Sequence, residues 1–127
     1  MSISDARAEF PAIDGYVMHN RIDCLSTESI VLWFHKPSPD LSSMTNVQVF
    51  LIGASMKAVN VEMSPFFPEM KSYAIREESV GGKPRNLLDI VFDKGKISFR
   101  FEKVFHVKSS QPLGRVPERL KKRLALR

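Results

Sequence analysis

Five side chains that could do chemistry share one face of the first predicted hairpin. Pairing of its two strands places His19 opposite His35 and Arg21 opposite Trp33, with Asp23 two residues along the same face. Two imidazoles and a carboxylate could bind a divalent metal, and the imidazoles with the guanidinium could hold an anion. A simpler interpretation, which needs no ligand, is a solvent-facing strand on which Arg21 stacks over Trp33. Such a cation–π contact contributes about 0.5–1 kcal/mol when it is exposed. A third interpretation is a surface that contacts a partner.

Motifs that would indicate catalysis are missing from the sequence. There is no Walker-type glycine loop, no GxSxG elbow, no His-Glu-x-x-His and no CxxC pair. Asp89 and Glu102 do not require a role as paired catalytic carboxylates, because both fit a solvent-facing row in which Asp89 faces Arg100. The single Cys24 cannot form an internal disulfide, which is typical of a reducing compartment. We expect no enzyme activity, no metal and no cofactor.

The C-terminus carries the whole net charge of the chain. Six basic side chains and one acidic side chain lie in residues 115–127, whereas residues 1–114 hold thirteen of each sign. Val116, Leu120 and Leu124 recur every four residues around Pro117, which predicts a basic amphipathic helix. This helix could pack on the sheet with its cations in solvent, or dock on an anionic surface, and a disordered tail is the third alternative. The tail cations that we expect to contact a partner are Arg115, Arg119, Lys122 and Arg123.

Length and composition indicate one domain with one core, since the chain has 127 residues of which 43% are hydrophobic. Its longest apolar stretches, such as residues 30–34, are far shorter than the roughly 20 residues of a membrane-spanning helix. The N-terminus does not have a basic start followed by an apolar core, so we expect no secretory signal and a cytoplasmic location.

The first two of three predicted hairpins lie in the N-terminal half. Strands over about 16–25 and 29–35 pair Ile22 with Leu32, Cys24 with Ile30 and Asn20 with Phe34. A second hairpin, with a three-residue loop at 53–55, pairs Val47 with Val61 and Val49 with Val59. Gly53 is expected to adopt a positive φ in that loop.

The third hairpin turns at Lys94-Gly95 and pairs Phe92 with Ile97, Ile90 with Phe99 and Leu88 with Phe101. Its second strand continues to Val107, because Phe105 and Val107 keep the odd-numbered phase of Ile97 and Phe99. Residues 71–77 could be a short strand or one helical turn, and residues 81–84 a mobile connection. Ser4 to Phe10 is predicted to form a short helical turn capped by Ser2 or Ser4.

Together these patterns predict a mainly β (α+β) domain: an antiparallel meander of about six strands, as a sandwich or half-barrel, with a short N-terminal turn and a C-terminal basic helix. We expect a non-enzymatic protein that docks a protein partner through its sheet face and tail, and the basic tail predicts that this partner is acidic. Small inhibitors and immunity proteins share this size and layout, which is an analogy of architecture. The alternative is a nucleic-acid-binding protein that uses the tail with Arg21 and Trp33. A homodimer is a further alternative.

Overall fold

The computed structural model describes residues 1–26, 28–61 and 70–113. Over these ranges the chain forms one helix and eight strands, so the mainly antiparallel β prediction is confirmed but the expected number of about six strands is wrong. The predicted C-terminal helix lies outside the described residues. The elements are α1 (Ile3–Glu9), β1 (Val17–Ser26), β2 (Ser29–Pro37), β3 (Ser43–Ile52), β4 (Ser55–Val61), β5 (Met70–Val80), β6 (Lys83–Phe92), β7 (Gly95–Phe101) and β8 (Lys103–Pro112).

The strands form two antiparallel sheets of four. Sheet 1 has the order β1-β2-β3-β8 and sheet 2 has the order β4-β7-β6-β5. Both sheets contribute to one buried core, and in the described part of the chain they do not close into a barrel. The fully buried aromatic residues of this core are Phe34 from sheet 1 and Phe99 and Phe101 from sheet 2. Each sheet therefore has one inner face on this core and one outer face.

One bent two-stranded ribbon connects the sheets. β3 pairs with β8 along its whole length and ends with Ile52 opposite Lys103. β4 then pairs with β7, starting with Ser55 opposite Arg100, in the same register. At the bend, the amide of Glu102 donates to the carbonyl of Ile52 at 2.9 Å. The ribbon thus turns a corner between the sheets and resumes its pairing in the same register.

The predicted hairpin around Gly53 is wrong, because β3 and β4 belong to different sheets. Gly53 does adopt the expected positive φ, 63°, but it bends the chain through the corner of the ribbon. β3 lies between β2 and β8, and this central position is why the sequence is apolar on both faces there. The predicted pairing of Val47 with Val61 also agrees with a strand that is apolar on both faces. The local sequence therefore did not distinguish a hairpin of β3 with β4 from the pairing of β3 with β8.

The hairpin of β6 and β7 is confirmed, but its register differs from the prediction by two residues. Phe92 pairs with Gly95, Ile90 with Ile97 and Leu88 with Phe99. Gly95 has a φ of 124°, which suits glycine directly after a turn at residues 93–94. A shift of two keeps every side chain on its predicted face, and for this reason alternation alone could not detect it.

β5 and β6 form a further hairpin that the sequence left open. Gly81 and Gly82, with φ of 58° and 78°, make its two-residue turn. Residues 71–77 are therefore strand, and the connection at 81–84 is a tight turn followed by the start of β6.

The N-terminal helix was predicted correctly. The hydroxyl of Ser2 accepts a hydrogen bond from the amide of Asp5 at 3.1 Å, which caps α1. α1 packs against β5 of sheet 2 and β8 of sheet 1. Arg7 Nε donates to the carbonyl of Ile75 at 3.0 Å, and His106 Nδ1 lies 2.9 Å from the carbonyl oxygen of Glu9. α1 is too short to cross a bilayer, and the described residues contain no longer helix.

Candidate docking face

The outer face of sheet 2 is covered by ion pairs between its strands. Asp89 accepts hydrogen bonds from Arg76 Nε at 2.6 Å and from the Ser98 hydroxyl at 2.5 Å. Leu87 lies opposite Arg76 and Arg100 in the register and is fully buried. Long charged side chains can cover an apolar residue with their stems in this way. The other pairs are Lys57–Glu78, Arg100–Glu78 (3.2 Å), Lys96–Asp89 (3.6 Å), Arg85–Glu102 (2.7 Å) and Lys71–Asp93 (3.5 Å).

Two carboxylates of this face, Asp89 and Glu78, have a lowered pKa and are held in their charged form. Burial raises the pKa of Asp89, but the hydrogen bonds from Ser98 and Arg76 outweigh it and leave the pKa below its ordinary value. Hydrogen bonds from Lys57 and Arg100 likewise lower the pKa of Glu78. Six basic side chains thus share the four carboxylates of these ion pairs, so the outer face of sheet 2 keeps an excess of positive charge and has the character of a solvated surface.

The outer face of sheet 1 carries aromatic and aliphatic side chains instead. Phe50 on β3 and Phe105 on β8 stack with ring centroids 4.7 Å apart and an angle of 6° between the rings. Phe105 is 46% exposed and its neighbour on the same face, Val107, is 50% exposed. In the backbone register Val107 lies opposite Gln48, which lies opposite Trp33. We call Trp33, Phe50, Phe105 and Val107 the aromatic face.

The two histidines meet at one end of the aromatic face, although not in the predicted register. Val17, and not His19, is opposite His35, because an irregularity between Met18 and Ile22 shifts the pairing by two residues. The rings of His19 and His35 nevertheless make an edge contact with centroids 5.5 Å apart. The same shift makes the predicted pair of Asn20 with Phe34 wrong. Met18 is opposite Phe34, while the pairs Ile22–Leu32 and Cys24–Ile30 are confirmed.

Hydrogen bonds already engage the polar groups of this hairpin. Trp33 Nε1 donates to Asp23 Oδ2 at 2.8 Å, and His35 Nδ1 lies 2.6 Å from Asn46 Oδ1. No group of three histidine, cysteine or acidic side chains in the described part of the chain is placed to hold a metal ion. The side chain of Arg21, and with it the predicted stacking on Trp33, lies outside the description. The arrangement suits contact with a surface better than coordination of an ion.

The predicted tail residues Arg115, Arg119, Lys122 and Arg123 lie outside the described residues, but the point where the chain enters that segment is defined. The amide of Leu113 donates to the carbonyl of Ser42 at 2.8 Å, at the end of β8 that is far from the bend. Leu113, the last described residue before the basic segment, therefore lies at the end of β8, beside the start of β3.

Phe105 and Val107 were missed as surface residues by the sequence analysis. Their odd-numbered phase continues that of Ile97 and Phe99, and from this we predicted one strand that runs on to Val107. That prediction is wrong, because β7 ends at Phe101 and β8 belongs to sheet 1. The bend at Glu102 reverses the phase, and Val104, only 1% exposed, takes the inward position on β8. The sequence contains one signal of this reversal, since the apolar pair 104–105 interrupts strict alternation.

A cleft of about 410 Å³ lies at the bend of the ribbon, away from the aromatic face. Arg85, Arg100 and Glu102 line it together with Gly53 and Ala54. Both guanidinium groups take part in ion pairs, Arg85 with Glu102 and Arg100 with Glu78.

Comparisons with protein-family models, with curated proteins and with solved structures find no match to this chain. The described residues offer one apolar, aromatic sheet face, and the chain leaves the same sheet at Leu113 before its strongly basic sequence.

Proposed function

We propose that this protein acts without catalysis, by docking a protein partner on the aromatic face of sheet 1. One observation carries the proposal: ion pairs cover the outer face of sheet 2, whereas the outer face of sheet 1 exposes Phe105 and Val107 on the same face as Trp33. Exposed apolar patches with a polar surround are typical of interaction sites, and aromatic residues are enriched at the centre of protein interfaces.

The basic segment 115–127 supports an acidic partner. Its net charge of +5 equals that of the whole chain, and Leu113, the last described residue before it, lies at the end of β8 in the sheet that bears the aromatic face. Charge of this kind accelerates association and selects partners more than it adds affinity. A small inhibitor or immunity-type protein would use such a combination, with apolar contacts for affinity and the segment for steering.

The test is affinity capture from the host lysate with the tagged full chain, with and without nuclease treatment and at low and high salt. We expect one stoichiometric protein that survives nuclease. A Phe105→Ser/Val107→Ser variant should lose it, because the apolar centre of the contact is removed. Met56→Ser is the matched control, since Met56 is an exposed apolar residue (42%) on sheet 2.

Two results would contradict the proposal. If the Phe105→Ser/Val107→Ser variant retains its partner while it remains folded, the aromatic face is not the docking site. If the captured material is nucleic acid that is lost at high salt, the alternative function through the tail with Arg21 and Trp33 replaces this one.

A further inference from the structure

The cleft at the bend of the ribbon gathers hydrogen-bond donors from three neighbouring strands of sheet 2. Ser55 on β4, Arg100 on β7 and Arg85 on β6 all line it. We propose that this cleft binds a small molecule through a carboxylate group, which accepts hydrogen bonds from both guanidinium groups and from the hydroxyl of Ser55. The cleft is separate from the aromatic face, so this inference does not depend on the proposed function.

The strand register brings the three donor side chains together on the outer face of sheet 2. Ser55 is opposite Arg100, and Arg100 is opposite Leu87, which lies two residues from Arg85 on β6. Arg85 and Arg100 are therefore diagonal neighbours, a relation that places side chains about 7–8 Å apart at their bases. Two guanidinium groups at this spacing can both donate to one carboxylate between them.

Both guanidinium groups keep donors that their ion pairs do not use. Arg100 donates through Nε to Glu78 at 3.2 Å, and Arg85 donates through Nη1 to Glu102 at 2.7 Å. Among residues 1–26, 28–61 and 70–113, neither guanidinium has a side-chain partner besides this carboxylate, and the hydroxyl of Ser55 has none. A single carboxylate does not engage all the N–H groups of an arginine, so donors remain for a ligand.

Glu78 orients Arg100 without cancelling its charge. The carboxylate of Glu78 is shared, since it pairs with Lys57 as well as with Arg100. Hydrogen bonds from Lys57 and Arg100 lower the pKa of Glu78, so it stays charged and keeps both cations in place. One negative charge thus faces two positive charges, and the excess at Arg100 favours an anionic ligand.

Two acidic residues of the lining limit the charge of that ligand. Glu102 pairs with Arg85, and Glu28 lines the cleft from the connection between β1 and β2. Both would repel a doubly charged phosphate more strongly than a singly charged carboxylate. The pair of Arg85 with Glu102 is exposed, at 41% and 55%, and pairs of this kind contribute little, so a ligand carboxylate can compete for Arg85.

The walls of the cleft are held in place and are partly apolar. The amide of Ala54 donates to the carbonyl of Glu28 at 2.8 Å, which joins the connection between β1 and β2 to the bend. Val80 and Ala54 add apolar surface to the lining. The volume of about 410 Å³ lies within the range of about 300–1,000 Å³ that is typical of small-molecule sites. A carboxylate with a short apolar chain matches this combination.

Butyrate and butyramide are the matched probes for this site, because they have nearly the same shape but only butyrate carries a negative charge. Each is titrated into the full chain at constant ionic strength, and the Nε–H signals of Arg85 and Arg100 are followed by nuclear magnetic resonance. We expect saturable shifts with butyrate and a dissociation constant on the order of 1 mM, as is usual for so small a ligand. Butyramide should cause no saturable shift, and inorganic phosphate should bind more weakly than butyrate.

Three variants locate the binding. Arg100→Gln should weaken butyrate binding about tenfold through the loss of charge-assisted hydrogen bonds, while Glu78 retains Lys57 as its partner. Arg76→Gln is the matched control, since it removes the same charge from the same face, where Arg76 pairs with Asp89 and does not line the cleft. Glu102→Gln should tighten binding several-fold, because it removes the carboxylate that competes for Arg85.

Three results would overturn the proposal. Equal binding of butyrate and butyramide would show that the carboxylate is not recognised. Equal weakening by Arg76→Gln and Arg100→Gln would show that butyrate responds to the general charge of the face and not to this cleft. Tighter binding of phosphate than of butyrate would contradict the carboxylate preference. No partner protein enters these measurements and the variants leave Phe105 and Val107 unchanged, so failure here is distinguishable from failure of partner capture.

Discussion

Gly53 is the residue at which the corner of the ribbon depends most directly on side-chain size. Its φ is 63°, and a Cβ added there would lie 2.7 Å from side-chain carbons of Glu102. We predict that Gly53→Ala lowers the free energy of unfolding by about 2–3 kcal/mol, since backbone strain and a steric conflict add. Chemical denaturation monitored by circular dichroism measures it.

Gly82 is the matched control for this substitution. It also has a positive φ, 78°, but no atom lies within 4 Å of an added Cβ. Gly82→Ala should therefore lower the free energy of unfolding only through backbone strain, by about 1 kcal/mol. Gly53→Ala combined with Glu102→Ala should recover part of the loss. A Gly53→Ala protein as stable as Gly82→Ala would show that the corner adjusts without strain.

Asp89 links stability to pH on the outer face of sheet 2. Because its pKa is lowered in the folded protein, its contribution is present above the pKa of the unfolded chain and is lost as pH falls through the folded value. We predict that Asp89→Asn reduces stability near neutral pH and makes the decline below about pH 4 shallower. The measurement is the thermal midpoint across this acid range.

Asp93→Asn provides the comparison, since Asp93 has a side chain that is 51% exposed, against 13% for Asp89, and a longer ion pair, 3.5 Å to Lys71. Exposed pairs of this kind contribute little to stability. If both variants decline with pH in parallel with the unmodified protein, the network of Asp89 with Ser98 and Arg76 does not set the acid response.

Among the elements, α1 depends on a few specific contacts because it has only seven residues. Arg7 donates to the carbonyl of Ile75 on β5, an edge strand of sheet 2. Arg7→Leu should destabilise the protein by about 1 kcal/mol, since a partly buried carbonyl loses its donor. Urea denaturation measures the change. Lys71→Leu, which removes a 62% exposed side chain from the same strand, should have a smaller effect, and equal effects would contradict a specific role for Arg7.

Helices and strands that are determined by neighbouring residues in the chain could be predicted from the sequence. Turn residues and alternation located β1, β2, β6 and β7, and capping chemistry located α1. Register and sheet membership were harder to predict. The predicted register of the hairpin at residues 93–94 was wrong by two residues, and an error of this size leaves the apolar side chains on the same face. The irregularity after Met18 changes the pairing partners of β1 but not the length of the strand.

The candidate site was only partly predictable for the same reason. The predicted strand pairing placed His19, His35 and Trp33 on one face. In the structure the two histidine rings are in contact, and the indole of Trp33 donates a hydrogen bond to Asp23. Phe105 and Val107 required knowledge of the bend, because alternation runs through Glu102 as though the strand were straight. A long-range pairing, β3 with β8, sets which side of β8 faces the core.

At the scale of the whole molecule, the sheets are built from two meanders that exchange their last strands. β1 to β3 belong to sheet 1 and continue into β4 of sheet 2, while β5 to β7 belong to sheet 2 and continue into β8 of sheet 1. Neither sheet is complete without a strand from the other half of the chain. We infer that the two sheets cannot unfold separately.

This inference predicts a single cooperative transition that a residue in either sheet can shift. Trp33 is the only tryptophan and lies in sheet 1, so its fluorescence reports that sheet, whereas Ile90 is fully buried on β6 of sheet 2. Ile90→Val should lower the free energy of unfolding that Trp33 reports by about 0.5–1.5 kcal/mol, the usual cost of one buried methylene. Circular dichroism, which reports both sheets, should give the same midpoint. If Ile90→Val lowered the midpoint measured by circular dichroism but left the midpoint measured by Trp33 fluorescence unchanged, the ribbon would not couple the two halves of the core.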